Sequence, residues 1–104
     1  MSFTGNEDHS ITLADAAEMT ARFRDNMPWD DTIAEFFGKS ALLAILNQED
    51  CVGIRLYFGF DDQMRPSMVA VGAKANQDDL VNGYLAERAL KCPIYCSSAN
   101  DLNS

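Results

Sequence analysis

Two cysteines in the last part of the chain are the residues best suited to do chemistry. Cys92 and Cys96 lie four positions apart in KCPIYCSS, and Pro93 follows the first of them. Proline is favoured at the first position of a helix, which would place Cys92 at a helix start, where a thiolate is stabilised. Cys96 would then lie one turn further on, at a separation that a disulfide can bridge.

Three interpretations of this cysteine pair are open. The first is a structural turn with reduced or partly buried thiols, the second a reversible dithiol, and the third a soft-metal site. Two thiolates suit Cu(I), whereas tetrahedral zinc would also need Cys51, His9 or a second subunit. The spacing is C-x-x-x-C, unlike the C-x-x-C of thioredoxin-like proteins. We favour the structural turn, and no cofactor is predicted.

No other group of residues predicts catalysis. The one histidine, His9, lies in a polar segment, so it lacks the rigid position that a catalytic base needs. Phosphate-binding glycine motifs are absent. Paired aspartates can hold Mg²⁺ or Ca²⁺, but each pair here falls where a turn or helix start favours aspartate. We interpret all three pairs as caps and turns: Asp30–Asp31, Asp61–Asp62 and Asp78–Asp79.

Length and charge restrict the class of protein. A chain of 104 residues is enough for one domain. Sixteen acidic residues against eight basic ones give a net charge of −8, which disfavours nucleic acid and anionic membranes as partners. No signal-peptide pattern is present, and ALLAIL is too short to span a bilayer. An odd number of cysteines fits a reducing compartment, so we predict a cytoplasmic protein.

Two N-terminal segments show helical patterns. Residues 11–27 carry an apolar stripe, and Thr12 is a capping residue at its start. In the second segment, Thr32 and Glu35 form a possible capping box, and Ser40 follows a glycine as a fresh cap. This predicts two short helices there.

A β-hairpin of residues 51–60 and 67–75 is the strongest structural prediction. Apolar residues alternate in CVGIRLYFGF and again in SMVAVGAK. We assign the even positions of the first strand and the odd positions of the second to the core. Small residues on the opposite face suggest close approach by the chain itself, a second subunit or a ligand. That predicted interaction face contains Arg55, Tyr57, Met68 and Gly72.

The order of four stretches resembles a family of small bacterial proteins with no established function. They are EFFGKSALLAIL, CVGIRLYFGF, VAVGAKANQDDL and KCPIYC, and the resemblance covers roughly residues 11–97. Ile94 stands where the terminal motif of that family often has a second proline. The resemblance implies that the hairpin and the cysteine tail belong together, and it implies no activity, cofactor or substrate.

We therefore predict an α+β fold in which N-terminal helices pack on a small antiparallel sheet built from the hairpin. Residues 1–10 would form a flexible arm, 11–97 a single domain and 98–104 a frayed tail. For residues 78–90 two interpretations stay open: a helix, or a third strand at 84–90. The predicted function is a non-enzymatic interaction module with a protein partner, first of all a second copy of the chain. The alternative is a thiol redox or soft-metal protein that uses Cys92 and Cys96, with Cys51 as a third sulfur.

Overall fold

The computed structural model describes all 104 residues and contains two helices and five strands. All strand pairs are antiparallel, in a three-stranded sheet and a two-stranded sheet. This arrangement confirms the predicted α+β class. In chain order the elements are α1 (Leu13–Asp25), β1 (Ala34–Phe36), α2 (Lys39–Leu46), β2 (Cys51–Phe60), β3 (Pro66–Lys74), β4 (Leu85–Ala86) and β5 (Leu90–Cys92).

The chain divides into two compact units. One consists of Met1–Asp8 and Phe37–Ala89, and it holds α2 and the sheet β2-β3-β4. The other consists of His9–Phe36 and Leu90–Ser104, and it holds α1 and the pair β1-β5. The predicted boundaries at residues 10 and 97 do not coincide with this division. At 13 and 8 residues, both helices are shorter than the roughly 20 apolar residues of a membrane-spanning helix.

The core of the first unit is built on β3, the central strand of its sheet. Ala70, Val71 and Ala73 are buried there, because the strand is flanked on both edges and covered on both faces. Helix α2 packs on β2 and β3, and its Ile45 is fully buried. Residues 78–90 contain no helix, and within them Leu85–Ala86 form β4, which pairs with β3. Of the third strand predicted at 84–90, only these two residues join this sheet, because Leu90 begins β5 and pairs with β1.

The hairpin is confirmed, but the predicted combination of its two faces is wrong. Phe60 pairs with Pro66, and the register continues as Phe58 with Met68. Residues directly opposite each other in an antiparallel pair share a face. Even positions of β2 therefore lie with even positions of β3, not with odd ones. The reason is the length of the turn, residues 61–65. Because five residues separate the paired Phe60 and Pro66, even-numbered residues of β2 pair with even-numbered residues of β3.

In the second unit, α1 begins as predicted. The hydroxyl of Thr12 accepts a hydrogen bond from the Asp15 amide at 3.1 Å. The predicted helix start at Thr32 is wrong, because residues 34–36 form β1 and pair with β5 instead. Pairing with a strand more than fifty residues away satisfies the backbone hydrogen bonds of β1. A local capping pattern contains no information about such a distant partner.

The second predicted cap is also displaced. Helix α2 begins at Lys39, and its N-cap is Gly38 rather than Ser40. The difference is small, because sequence patterns locate helix ends only to within one or two residues.

Candidate interaction surface and the disulfide

Strand β2 has one edge that no other strand of the chain covers, because it is the outer strand of the order β2-β3-β4. In the turn, the Asp61 amide donates to the Arg65 carbonyl at 3.0 Å. Asp61 and Arg65 are therefore a hydrogen-bonded pair. Because hydrogen-bonded and non-hydrogen-bonded pairs alternate along an antiparallel ladder, the odd-numbered residues of β2 also exchange hydrogen bonds with β3. The N–H and C=O groups that point outward belong to Ile54, Leu56, Phe58 and Phe60.

This edge lacks the features that normally protect an outer strand. Its half LYFGF, residues 56–60, contains no charge and no proline, and the one irregularity of register lies at the other end, at Cys51/Gly53. Phe58 is 89% exposed, and Leu56 and Phe60 are exposed as well. Natural edge strands are usually guarded by lysine, proline, bulges or a covering segment. Residues 56–60 are therefore open to another strand.

The four residues of the predicted interaction face do not lie together. Arg55 and Tyr57 are on the odd face of the hairpin, whereas Met68 and Gly72 are on the even face. Gly72 is also buried by the chain itself. A Cβ atom added there would lie 3.0 Å from each of three side-chain atoms, in Cys51, Gln48 and Leu80. Of the predicted face, Arg55 and Tyr57 remain next to the exposed part of β2.

Asp79 completes a cluster on the odd face that sequence reasoning missed. Its carboxylate accepts hydrogen bonds from the Tyr57 hydroxyl and from the Arg55 guanidinium. The pKa of Asp79 lies below its ordinary value, mainly because of the hydrogen bond from Tyr57 and to a smaller extent because of the one from Arg55. The same bond raises the pKa of Tyr57. The aspartate doublet was the available signal, but it predicted a cap or turn, which is the role of Asp61.

The N-terminal segment covers part of this odd face. The Phe3 amide donates to the Ala75 carbonyl at 2.8 Å, and the Phe3 ring lies 5.5 Å from the Arg55 guanidinium carbon. Gly5 lies so close to β2 that an added Cβ would be 2.8 Å from the Val52 carbonyl oxygen. The start of β2 is therefore occupied by the chain's own N-terminal residues, and its second half is not.

Cys92 and Cys96 are joined by a disulfide, with their Cα atoms 4.8 Å apart. Cys92 ends β5 and is 4% exposed, whereas Cys96 is exposed. Pro93 lies in a turn rather than at a helix start, so that part of the prediction is wrong. A turn is present as expected, but its thiols are oxidised rather than reduced.

Cys51 is a half-buried free thiol, and its Sγ–H donates to the Gly53 carbonyl at 3.2 Å. It belongs to the first unit, whereas Cys92 and Cys96 belong to the second. No group of three or more His, Cys, Asp or Glu side chains is placed to hold a metal ion. Within the second unit, the structure therefore brings the two tail cysteines together.

Comparison with known proteins finds no matching family model, no matching curated protein and no matching solved structure. The resemblance described from the sequence stays a prediction.

Proposed function

We propose that this protein is a non-enzymatic interaction module that pairs with a second copy of itself through the edge of β2. The observation that carries the proposal is the unguarded edge over residues 56–60, whose outward backbone groups have no partner strand within the chain. Two copies related by a two-fold axis would pair these edges antiparallel and form a continuous six-stranded sheet.

The register of that dimer follows from which part of β2 is open. A two-fold axis at Phe58 places Phe58 opposite Phe58 of the partner subunit, and Leu56 opposite Phe60 of the partner subunit. Every one of these residues points its backbone groups outward, so they can exchange hydrogen bonds. An axis at Leu56 would instead bring Phe60 against Val52, where Gly5 already lies.

Charge supports the same register. With the axis at Phe58, Arg55 lies opposite Asp61 of the partner subunit, and both are odd positions on one face. Opposite charges directly across a strand pair favour that pairing, and the two-fold axis creates the contact twice. Arg55 is the one charged residue of β2, so all the acidic residues behind the net charge of −8 lie outside this strand.

Sedimentation equilibrium of the wild type and two variants tests the proposal. Phe58→Lys places a charge in the centre of the paired edge. Met64→Lys makes the same change of charge at an exposed residue of the turn that is 66% accessible. We expect a wild-type dimer, at least a tenfold higher dissociation constant for Phe58→Lys, and no change for Met64→Lys. A wild type that is monomeric at millimolar concentration, or equal effects of the two variants, would contradict the proposal.

The cytoplasm is the location that we propose for this module. The odd number of cysteines supports it. The same net charge supports a protein partner rather than nucleic acid or a membrane surface.

A further inference from the structure

We propose a second, separate site: the Cys92–Cys96 disulfide is a thiol–disulfide exchange site that accepts an aliphatic thiolate at the sulfur of Cys96. Two independent observations point to it. The two halves of the disulfide differ in accessibility, with Cys92 buried and Cys96 exposed. A cavity also opens directly beside them, lined by both cysteines.

The cavity has a volume of about 240 Å³, which fits one small side chain or a low-molecular-weight thiol better than a large ligand. Its wall is formed by the chain after Cys96 and is held in place by side chains. The Asn103 amide nitrogen donates to the carbonyls of Ser97 and Ser98, both at 3.2 Å. The remaining lining residues are small or apolar: Ile33, Ala99 and Ser104.

The buried half of the disulfide is fixed by the strand pair of the second unit. Cys92 lies opposite Ala34, and its carbonyl accepts a hydrogen bond from the Ile33 amide at 2.8 Å. Cys96 lies outside any strand, after the turn that begins at Pro93. An incoming thiolate therefore reaches the sulfur of Cys96, and Cys92 is the leaving group.

The exchange is balanced in two steps. In the first, a thiolate RS⁻ attacks Sγ of Cys96, the Sγ–Sγ bond breaks, and Cys92 leaves as a thiolate that takes a proton from water. The product is the mixed disulfide RS–S–Cys96. In the second, another thiolate attacks the R sulfur and releases Cys96 as a thiolate and RSSR. The disulfide gains two electrons, one from each thiol sulfur, and the reductant is a monothiol pair or a dithiol.

Such a role also agrees with the proposed location. Disulfides in the cytoplasm of most organisms are transient, catalytic or redox-sensing rather than permanent. A disulfide with one exposed partner and a cavity beside it has the access that exchange requires.

Trapping of the mixed disulfide tests the direction of attack. Reduced Cys92→Ser and Cys96→Ser proteins, each also carrying Cys51→Ser, are incubated in native buffer with glutathione disulfide, and adducts are followed by intact mass. We expect Cys92→Ser, which keeps the exposed thiol, to gain glutathione at least tenfold faster than Cys96→Ser. Equal or reversed rates would overturn the proposal. The variant lacking all three cysteines reports the background.

The wild-type protein provides a test that does not depend on the variants folding. We expect dithiothreitol to reduce the Cys92–Cys96 disulfide in native buffer, at a rate first order in dithiothreitol. Reduction only after denaturant is added would overturn the proposal. Exchange with glutathione alone would indicate a small thiol as the natural reactant. Equal or faster exchange with a cysteine-containing decapeptide would indicate a protein thiol.

Discussion

The hydroxyl of Tyr57 donates a hydrogen bond to the carboxylate of Asp79, 22 residues further along the chain. Arg55 donates to the other oxygen of the same carboxylate. These bonds tie β2 to the loop that follows β3, and with the N-terminal segment they occupy the odd face near Arg55. What remains open on the hairpin is the edge of β2, which is why we place the interaction there.

The Asp79 contacts predict a dependence of stability on pH. The pKa of Asp79 lies below its ordinary value of 3.8 because of the hydrogen bonds from Tyr57 and then Arg55. A lowered pKa means that the ionised carboxylate stabilises the fold. This stabilisation is complete above the ordinary pKa and is lost as the pH falls through the lower pKa of the folded protein.

We expect Asp79→Asn to lower the melting temperature at neutral pH and to flatten its decline below about pH 4. Melting curves between about pH 6 and about pH 2 measure both effects. Asp78→Asn is the matched control, because the Asp78 carboxylate accepts a hydrogen bond from Asn76 rather than from Tyr57. Parallel pH profiles for Asp79→Asn and the wild type would show that the cluster does not contribute.

Gly72 predicts a packing effect on the even face. An alanine Cβ there would lie 3.0 Å from three side-chain atoms, whereas one at Gly53 would meet nothing within 4 Å. We expect Gly72→Ala to reduce the free energy of unfolding by about 1–3 kcal/mol, as overpacking does. Gly53→Ala should change it by less than about 0.5 kcal/mol. Urea titrations compare the two, and equal losses would refute the close packing.

Arg24 fastens the last residues of the chain to α1. Its guanidinium donates to the carbonyl of Leu102 at 2.6 Å and to an oxygen of Ser104 at 2.9 Å. Arg22, two positions earlier, makes only an exposed pair with Glu18 at 3.8 Å, worth at most about 0.5 kcal/mol.

We therefore expect Arg24→Ala, but not Arg22→Ala, to speed amide hydrogen exchange in residues 97–104. Exchange measured by mass spectrometry on peptides from this region distinguishes the variants. Unchanged protection in Arg24→Ala would mean that the tail is held by its own hydrogen bonds, such as those of Asn103.

The sequence was most informative where structure depends on neighbouring residues. Alternating apolar residues predicted both hairpin strands to within one residue, and Thr12 correctly marked the cap of α1. The faces of the hairpin depend instead on the length of the turn. A shift of one residue in pairing moves every side chain to the other face, and the alternation is equally regular in either register.

Long-range pairing explains the remaining differences. Nothing near Thr32 signals that residues 34–36 will pair with β5, because the partner lies more than fifty residues away. Likewise, Asp79 looked like a turn residue, and its bonds to β2 arise only when the hairpin folds. The two cysteines were identified correctly as a close pair, but composition favoured reduced thiols over the disulfide that the structure contains.

Cross-linking through a single introduced cysteine tests the proposed dimer most directly. With the axis at Phe58, two copies of residue 58 lie directly opposite each other, with Cα atoms about 5.5 Å apart, within the range of a disulfide. Two copies of residue 60 lie four positions apart along the strands, about 14 Å. In a Cys51→Ser background, we predict that Phe58→Cys forms a covalent dimer under mild oxidation and that Phe60→Cys does not. No covalent dimer from Phe58→Cys, or equal yields from both variants, would contradict the edge-to-edge dimer.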